Sequence, residues 1–140
     1  MSLRVGYRVD IFSGAWMESF KDQWNKEPDL INELAHIKFD SVIGYGFKAE
    51  AKPRGVIRVA KGEVTSAGDF EDETLNWDLR ADKESWQDWI ENPPGMMALG
   101  MAYTSQKLRF IKGDYASMIK DPSIAGPFIK SFIVMSRVKV

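Results

Sequence analysis

The first part of the chain carries its apolar residues at helical spacing. Trp16, Phe20 and Trp24 recur every four residues, which predicts a helix with one buried face. Pro28 interrupts this pattern and can begin a second helix, because proline fits the first turn of a helix but not its interior. We therefore predict a helical region over about residues 13–36 that is divided at Pro28.

From residue 41 the apolar pattern changes to a period of two, which is typical of half-buried strands. Ile43 and Tyr45, for example, alternate with glycines. Lys61-Gly62 suits a tight hairpin turn between two further strands. The strands predicted in this region cover residues 41–50, 55–60, 63–67 and 74–81.

The second half of the chain switches between helical and extended patterns. Helices are predicted over residues 83–91, with Asp82 as the N-cap, and over a short apolar stretch at residues 96–101. A strand is predicted over residues 107–112. A short helix then follows from Tyr115, and the last helix is predicted to begin at Pro127.

This order of elements predicts an α+β fold. Three strands form an antiparallel meander, a fourth follows, and a fifth returns after a helical crossover. With 140 residues, the chain has the length of one domain, and no long Pro/Gly linker divides it. We therefore treat residues 1–140 as a single domain.

Composition and charge exclude several classes of function. The net charge of −1 argues against nucleic acid as a partner. There is no cysteine, so disulfides and thiolate metal sites are excluded. No apolar run approaches the roughly 20 residues that span a bilayer, and charged residues interrupt the N-terminal stretch where a signal peptide would need an apolar run. These features predict a cytoplasmic protein.

Catalytic chemistry has little support in the sequence. His36 is the single histidine, and a histidine at the end of a predicted helix commonly interacts with the helix dipole. No serine lies in a nucleophile-elbow pattern, and one histidine without cysteine argues against a zinc site. The acidic stretch 69–73 lacks the alternating ligands of a calcium loop. The sequence therefore predicts a protein that is not an enzyme and that needs no metal or cofactor.

The charge is unevenly distributed along the chain. Residues 101–140 contain seven basic and two acidic residues. Lys130 and Arg137 lie opposite the apolar stripe of the predicted last helix, so they are candidates for contact with an anionic membrane surface. A solvated basic face is the alternative interpretation.

Two segments carry a resemblance to a known family. Residues 75–82 run from Leu75 to Asp82 as a strand leading into an acidic-capped helix, and residues 106–114 contain Lys107-Leu108 followed by Gly113-Asp114. Residues 74–138 thereby resemble the sterol-carrier-protein-2 family of lipid-binding domains, in a stand-alone form. Gln106 departs from the family pattern, which has glycine before Lys107. The C-terminal Lys139-Val140 also lacks the address of peroxisomal members.

The resemblance implies a five-stranded, mostly antiparallel sheet with helices packed on one face and a hydrophobic tunnel between them. The last helix would act as a lid, with Pro122, Gly126 and Pro127 as its hinge. Apolar side chains that we expect to face inward in the second half would line the tunnel as the lipid-binding residues. These are Trp77, Leu79, Trp86, Trp89, Ile90, Met97, Met101, Tyr103, Phe110, Phe128 and Phe132.

The leading hypothesis is non-enzymatic binding or transfer of a hydrophobic ligand, such as a fatty acyl, sterol-like or isoprenoid lipid. The first alternative is an accessory module with a filled core, which dimerises or presents lipid to a partner enzyme. A third hypothesis is a small enzyme of the nuclear-transport-factor-2-like fold that uses His36 and Asp40. The oligomeric state, monomer or homodimer, stays open.

Overall fold

The structure of the protein is a computed structural model that describes residues 10–138. Its helices and strands follow one another in an order that mixes both types along the chain. They are α1 (Gly14–Asn25), α2 (Pro28–His36), β1 (Ser41–Phe47), β2 (Gly55–Ala60), β3 (Glu63–Asp69), β4 (Trp77–Ala81), α3 (Lys83–Glu91), α4 (Met96–Thr104), β5 (Arg109–Lys112), α5 (Tyr115–Ile119) and α6 (Pro122–Met135).

The strands form one five-stranded sheet in the order β3-β2-β1-β4-β5. β1 and β4 are parallel, whereas the other neighbours are antiparallel. The predicted α+β class and the mostly antiparallel, five-stranded sheet are therefore confirmed. The predicted hairpin at Lys61-Gly62 is also present, and both residues adopt positive φ, 50° and 89°, as a type I′ turn requires.

The helices cover one face of the sheet, and the main hydrophobic core lies between them. Side chains of alternate strand residues point into it, so Ile57 is buried whereas its neighbour Arg58 is exposed. Trp16, Phe20 and Trp24 of α1 are buried on the helix side, as their spacing predicts. None of the helices within residues 10–138 is long and apolar enough to cross a bilayer.

Loops rather than helices cover the opposite face of the sheet. A Cβ on Gly44 would meet the side chains of Leu75 and Pro53, and one on Gly46 would meet the Pro53 backbone. Glycine in this strand therefore permits close approach of a neighbouring segment. On the same face of the sheet, Arg80 forms a buried ion pair with Asp78. Arg80 also donates a hydrogen bond to the backbone oxygen of Glu50, in the loop between β1 and β2, over 2.8 Å.

Helix α6 differs from the prediction, because it begins at Pro122 and continues through Pro127. Asp121 is the N-cap, and its carboxylate accepts a hydrogen bond from the Ser123 backbone N–H over 3.0 Å. Both prolines are compatible with a helix start, and Pro122 takes that position. The predicted start at Pro127 was wrong, as was the hinge ahead of the helix, because residues 122–126 are its first turn and part of its second.

Candidate functional site: an apolar pocket under helix α6

An apolar pocket of about 40 Å³ lies between the sheet and the first half of α6. Its floor is formed by the strand side chains Ile43, Tyr45, Trp77 and Leu79. Its roof is formed by the α6 residues Ile124, Pro127, Phe128 and Ser131. The remaining walls come from the N-terminal helices, the segment before β1 and α5, through Trp24, Leu34, Phe39 and Met118.

Local sequence patterns explain why these side chains meet. In β1, Ile43 and Tyr45 are two residues apart and so point to the same face. Their partners in the parallel strand β4 are Trp77 and Leu79, which continue that face. In α6, residues 124, 127, 128 and 131 are spaced by three and four positions and share one helix face. The pocket therefore lies where two aligned stretches of sheet and helix meet.

The hydrogen bonding of Trp24 holds one end wall in place. Its indole Nε1 donates to the backbone oxygen of Gly62 over 2.9 Å. This bond joins the end of α1 to the β2–β3 hairpin, and Trp24 also lines the pocket. Gly62 cannot carry a side chain, since a Cβ there would lie only 2.6 Å from the Ala35 backbone nitrogen.

The polar side-chain groups among the lining residues are two hydroxyls and two indole N–H groups, and no lining side chain is charged. Tyr45 is 3% exposed, and its burial raises the pKa of its phenol well above the ordinary value of 10.0, so the group stays neutral across the physiological range. Ser131 Oγ donates to the Phe128 backbone oxygen. Such a pocket suits an uncharged apolar group, because a carboxylate in it would lose solvation without an ionic partner.

Three of the eleven predicted lining residues contact the pocket, namely Trp77, Leu79 and Phe128. The pocket lies under α5 and α6 and does not extend under α3 or α4. Whether these side chains bind a ligand stays a prediction.

Trp86, Trp89 and Phe132 belong to the solid core rather than to the pocket wall. Trp86 is fully buried and stacks on Phe132 with ring centroids 6.2 Å apart. Its Nε1 also donates to the Gly46 backbone oxygen over 2.9 Å. Ile90 packs against the same core from its edge. These side chains therefore support the pocket from behind.

Phe110 and Tyr103 join a satellite cluster beside the pocket. Its buried members are Tyr115, Met118 and Ala125. Tyr103 stacks on Tyr115 with a centroid separation of 4.1 Å, and Phe110 lies edge-on to Tyr115 at 5.5 Å. Met118 connects this cluster to the pocket, since it also lines the wall.

The expected inward placement of Met97 and Met101 was wrong. Their side chains are 80% and 65% exposed. In α4, Leu99 and Ala102 are the buried residues, and residues 97 and 101 lie on the opposite side of the helix. The two methionines therefore cannot line this pocket in the described conformation.

Lys130 and Arg137 are not free cations on the surface of α6. Arg137 Nη1 lies 2.6 Å from Glu27 Oε1, and Lys130 Nζ lies 3.8 Å from Asp29 Oδ2. Both carboxylates belong to the start of α2, against which α6 packs. Each of these two candidates for membrane contact therefore has a carboxylate partner within the protein, and their contact with an anionic membrane surface stays a prediction.

Most of the pocket lining was not predicted from the sequence. The missed lining residues are Trp24, Leu34, Phe39, Ile43, Tyr45, Met118, Ile124, Pro127 and Ser131. A signal for some of them was present, because Ile43 and Tyr45 share a face in the period-two pattern of β1. The 124–131 spacing was hidden by placing the start of the helix at Pro127.

The structure does not bring His36 and Asp40 together as a catalytic pair. His36 is exposed at the end of α2. Asp40 Oδ1 instead accepts a hydrogen bond from the Lys61 backbone N–H over 2.7 Å, which ties the β2–β3 hairpin to the start of β1. Within residues 10–138, no cluster of three or more acidic or histidine side chains could hold a metal ion.

No protein-family model matches the sequence, and no curated protein matches it either. Solved structures do match the fold. A crystal structure of sterol carrier protein 2 aligns with a TM-score of 0.74 and 17% identity, over 93% of this chain and 100% of the other. A solution structure of a conserved hypothetical protein from Thermus thermophilus, described as possibly a sterol carrier protein, aligns with a TM-score of 0.68 and 18% identity, over 94% and 91%.

A third structure, described as the UbiJ-SCP2 ubiquinone synthesis protein, aligns with a TM-score of 0.56 and 10% identity, over 85% of this chain and 86% of the other. All three alignments extend over most of the chain. Together with the strand order and the helices on one face, they show that this protein has the sterol-carrier-protein-2 fold.

Proposed function

We propose that this protein binds a hydrophobic small molecule, of the fatty acyl, sterol-like or isoprenoid class, in the pocket under α6, and that it does so without catalysing a reaction. The observation that carries the proposal is the pocket itself, which is apolar, free of charged side chains and located between sheet and helices. The shared fold with sterol carrier protein 2 supports the same function.

The pocket must widen to hold a lipid. Its present volume of about 40 Å³ would admit water, whereas ligand pockets generally measure about 300–1,000 Å³. The satellite cluster around Tyr115 and Met118 has its own buried residues, although Trp77, Phe110 and Phe128 pack against both this cluster and the main core. We expect α5 and the first turn of α6 to shift when a lipid enters, while the main core stays packed. Pro127 favours this movement, because it has no N–H for the Ser123 carbonyl four residues earlier.

The free energy gained by burying a lipid chain is large enough to offset the cost of widening the pocket. Each CH₂ transferred from water into an apolar site gains roughly 0.8 kcal/mol. A 16-carbon chain would therefore gain on the order of 10 kcal/mol before ordering and reorganisation costs. Binding of this strength requires no catalytic group.

Native mass spectrometry of the gently purified protein, combined with displacement of a polarity-sensitive fluorescent lipid, tests the proposal. We expect a retained apolar ligand or saturable, one-to-one probe binding. The proposal would be contradicted if a protein that unfolds cooperatively showed no bound ligand and no saturable probe binding.

The chemistry of the lining further predicts a neutral ligand head group inside the pocket. Tyr45 offers a neutral phenol, and no lining side chain can pair with a carboxylate. We expect a long-chain alcohol to displace the probe better than the acid of equal length at neutral pH. Equal displacement by the two compounds would mean that the head group stays in solvent.

The small volume of the cavity also favours a second candidate function, an accessory module that acts through its surface. The UbiJ-SCP2 ubiquinone synthesis protein has a similar fold and is named after a biosynthetic pathway, so it offers a precedent for such a role. A ligand-free mass, no probe binding and a homodimer or a stable complex with a second protein would favour this role over lipid binding.

The absence of catalysis is likewise a proposal, as is location in the cytoplasm. We expect His36→Ala to leave probe binding unchanged, because His36 is exposed and lies outside the pocket lining. A hydrolase or isomerase activity that this substitution removes would refute the non-enzymatic function.

A further inference from the structure

Helix α4 has an apolar face that nothing in the described part of the chain covers. The helix contains no charged residue, and a helix that is apolar all round is normally buried all round. Here only Leu99 and Ala102 are buried. Met96, Met97 and Met101 are 47%, 80% and 65% exposed.

Cationic side chains follow this helix directly. Residues 96–112 contain Lys107, Arg109 and Lys112 and no acidic residue, and all three cations are exposed. None of them lies within 4.0 Å of a carboxylate in residues 10–138. Exposed apolar groups and unpaired positive charge therefore occupy one continuous segment of the chain.

We propose that this segment, with Met96, Met97 and Met101 as the apolar part and Lys107 and Arg109 as the cationic part, docks the protein on an anionic lipid bilayer. The five side chains are called the docking face below. Methionine is flexible and polarizable and adapts to an irregular apolar environment. Exposed cations are attracted to anionic headgroups. The proposal rests on the proposed function, since it supplies the place from which a lipid would be taken up.

Charge complementarity distinguishes this face from α6. Lys130 and Arg137 already lie within 4.0 Å of carboxylates at the start of α2, and anionic headgroups would have to compete with those partners. Lys107 and Arg109 have no such partner to lose among residues 10–138. The unpaired cations therefore favour an anionic surface at α4 and β5.

The docking face is also connected to the pocket. Tyr103, on the inner side of α4, stacks on Tyr115, and Tyr115 and Met118 belong to the same satellite cluster. Met118 lines the pocket. One small aromatic cluster thus lies between the inner side of α4 and the pocket.

Sedimentation of the full chain with vesicles tests the proposal. The vesicles are phosphatidylcholine alone or phosphatidylcholine with about one third phosphatidylglycerol. We expect the protein to partition onto the anionic vesicles only, and to do so less at high salt. Both M97Q/M101Q and K107E/R109E should reduce the partition coefficient at least about tenfold.

Two matched variants control for side-chain chemistry and for charge. M97L/M101L keeps the face apolar and should bind within about twofold of wild type. K26E/K61E changes the net charge equally, at exposed residues near α1 and the β2–β3 hairpin, and should also bind within about twofold. Thermal unfolding of every variant verifies that it folds.

Unchanged partitioning of M97Q/M101Q, or equal binding to neutral vesicles, would overturn the proposal. Absence of vesicle binding with intact probe binding in solution would refute the docking face and leave the pocket function standing. Loss of probe binding with intact vesicle binding would refute the pocket function and leave the docking face standing. A concentration-dependent dimer or a protein complex that M97Q/M101Q dissociates, without vesicle binding, would assign the face to a protein partner and also overturn the proposal.

Discussion

Arg137, next to the last described residue, is paired with Glu27, which lies 110 positions earlier in the sequence. The guanidinium Nη1 donates to Glu27 Oε1 over 2.6 Å at the start of α2. The same carboxylate group accepts the Asp29 backbone N–H over 3.2 Å, so it caps α2 while it binds the residue that follows the C-cap of α6. One side chain thus fixes the position of the roof of the pocket relative to an adjoining helix.

This contact predicts a loss of stability in acid. The hydrogen bond from Arg137, followed by that from the Asp29 backbone, lowers the pKa of Glu27 below its ordinary value of 4.5. A lowered carboxyl pKa contributes stability above the unfolded-state value, and this contribution is lost as pH falls through the folded-state value. Urea unfolding at about pH 7 and about pH 3 should therefore show a smaller difference for Glu27→Gln than for wild type. Glu33→Gln on the same helix is the control, and an equal effect from it would contradict the assignment to Glu27.

Gln106 predicts a stabilising substitution. It follows α4 with φ of 64°, a conformation that costs a residue with a Cβ roughly 1–2 kcal/mol and glycine almost nothing. Gln106→Gly should raise the free energy of unfolding by up to about 1 kcal/mol, after the entropy of the more flexible unfolded chain is counted. Gln106→Ala keeps the Cβ and should change little. A gain from alanine equal to that from glycine would show that the glutamine side chain, not the backbone, is unfavourable.

The φ of Gln106 also shows what the departure from the sterol-carrier-protein-2 pattern leaves unchanged. The resembled pattern has glycine at this position, and the structure retains the backbone conformation that favours glycine. The departure is therefore a substitution within a preserved turn. Such a turn can be recognised from sequence because Gly113-Asp114 marks the other end of the same short strand.

The order of elements was predictable because period and proline positions are local properties. Strand β2 and helix α3, for example, have the bounds that alternation and the Asp82 cap predict. The start of α6 was not predictable in this way, because Pro122 and Pro127 are both acceptable first residues of a helix. The choice depends on Asp121, whose carboxylate caps the earlier start.

The candidate site was harder to predict, because its residues come from six elements and the segment before β1. No local signal selects Trp24 and Ser131 as neighbours of one pocket. The error at Met97 and Met101 has a different cause. Since α4 has no charged residue, its sequence offers no contrast between an inner and an outer face, and tertiary contacts alone decide which methionines are buried.

Gly113 predicts a strongly destabilising substitution next to the pocket. Its φ is 98°, and a Cβ there would overlap the indole ring of Trp77. Gly113→Ala should cost roughly 3 kcal/mol or more, because backbone strain and overpacking add. It should also weaken probe binding, since Trp77 lines the pocket. Gly68→Ala is the matched control, because a Cβ there meets nothing within 4 Å, and urea unfolding of both variants measures the difference. Similar stabilities would refute the packing argument.

The last prediction separates filling the pocket from disturbing α6. Ser131 lines the roof, and Ser136, one and a half turns further on, lies outside the lining. Both hydroxyls donate to the backbone oxygen three residues earlier, so replacing either by leucine removes an equivalent hydrogen bond. Ser131→Leu places additional apolar volume inside the pocket and should reduce probe affinity at least about tenfold. The reason is that the bound probe loses the burial of a part of its own as large as a leucine side chain, which costs more than about 1.4 kcal/mol. Ser136→Leu should leave the affinity within about twofold of wild type.

Fluorescent-probe titrations measure both affinities, and thermal unfolding shows whether the Ser131→Leu variant keeps its fold. A Ser131→Leu protein that is folded and binds the probe as tightly as wild type would place the ligand elsewhere, because a leucine at residue 131 occupies space that a lipid in this pocket needs.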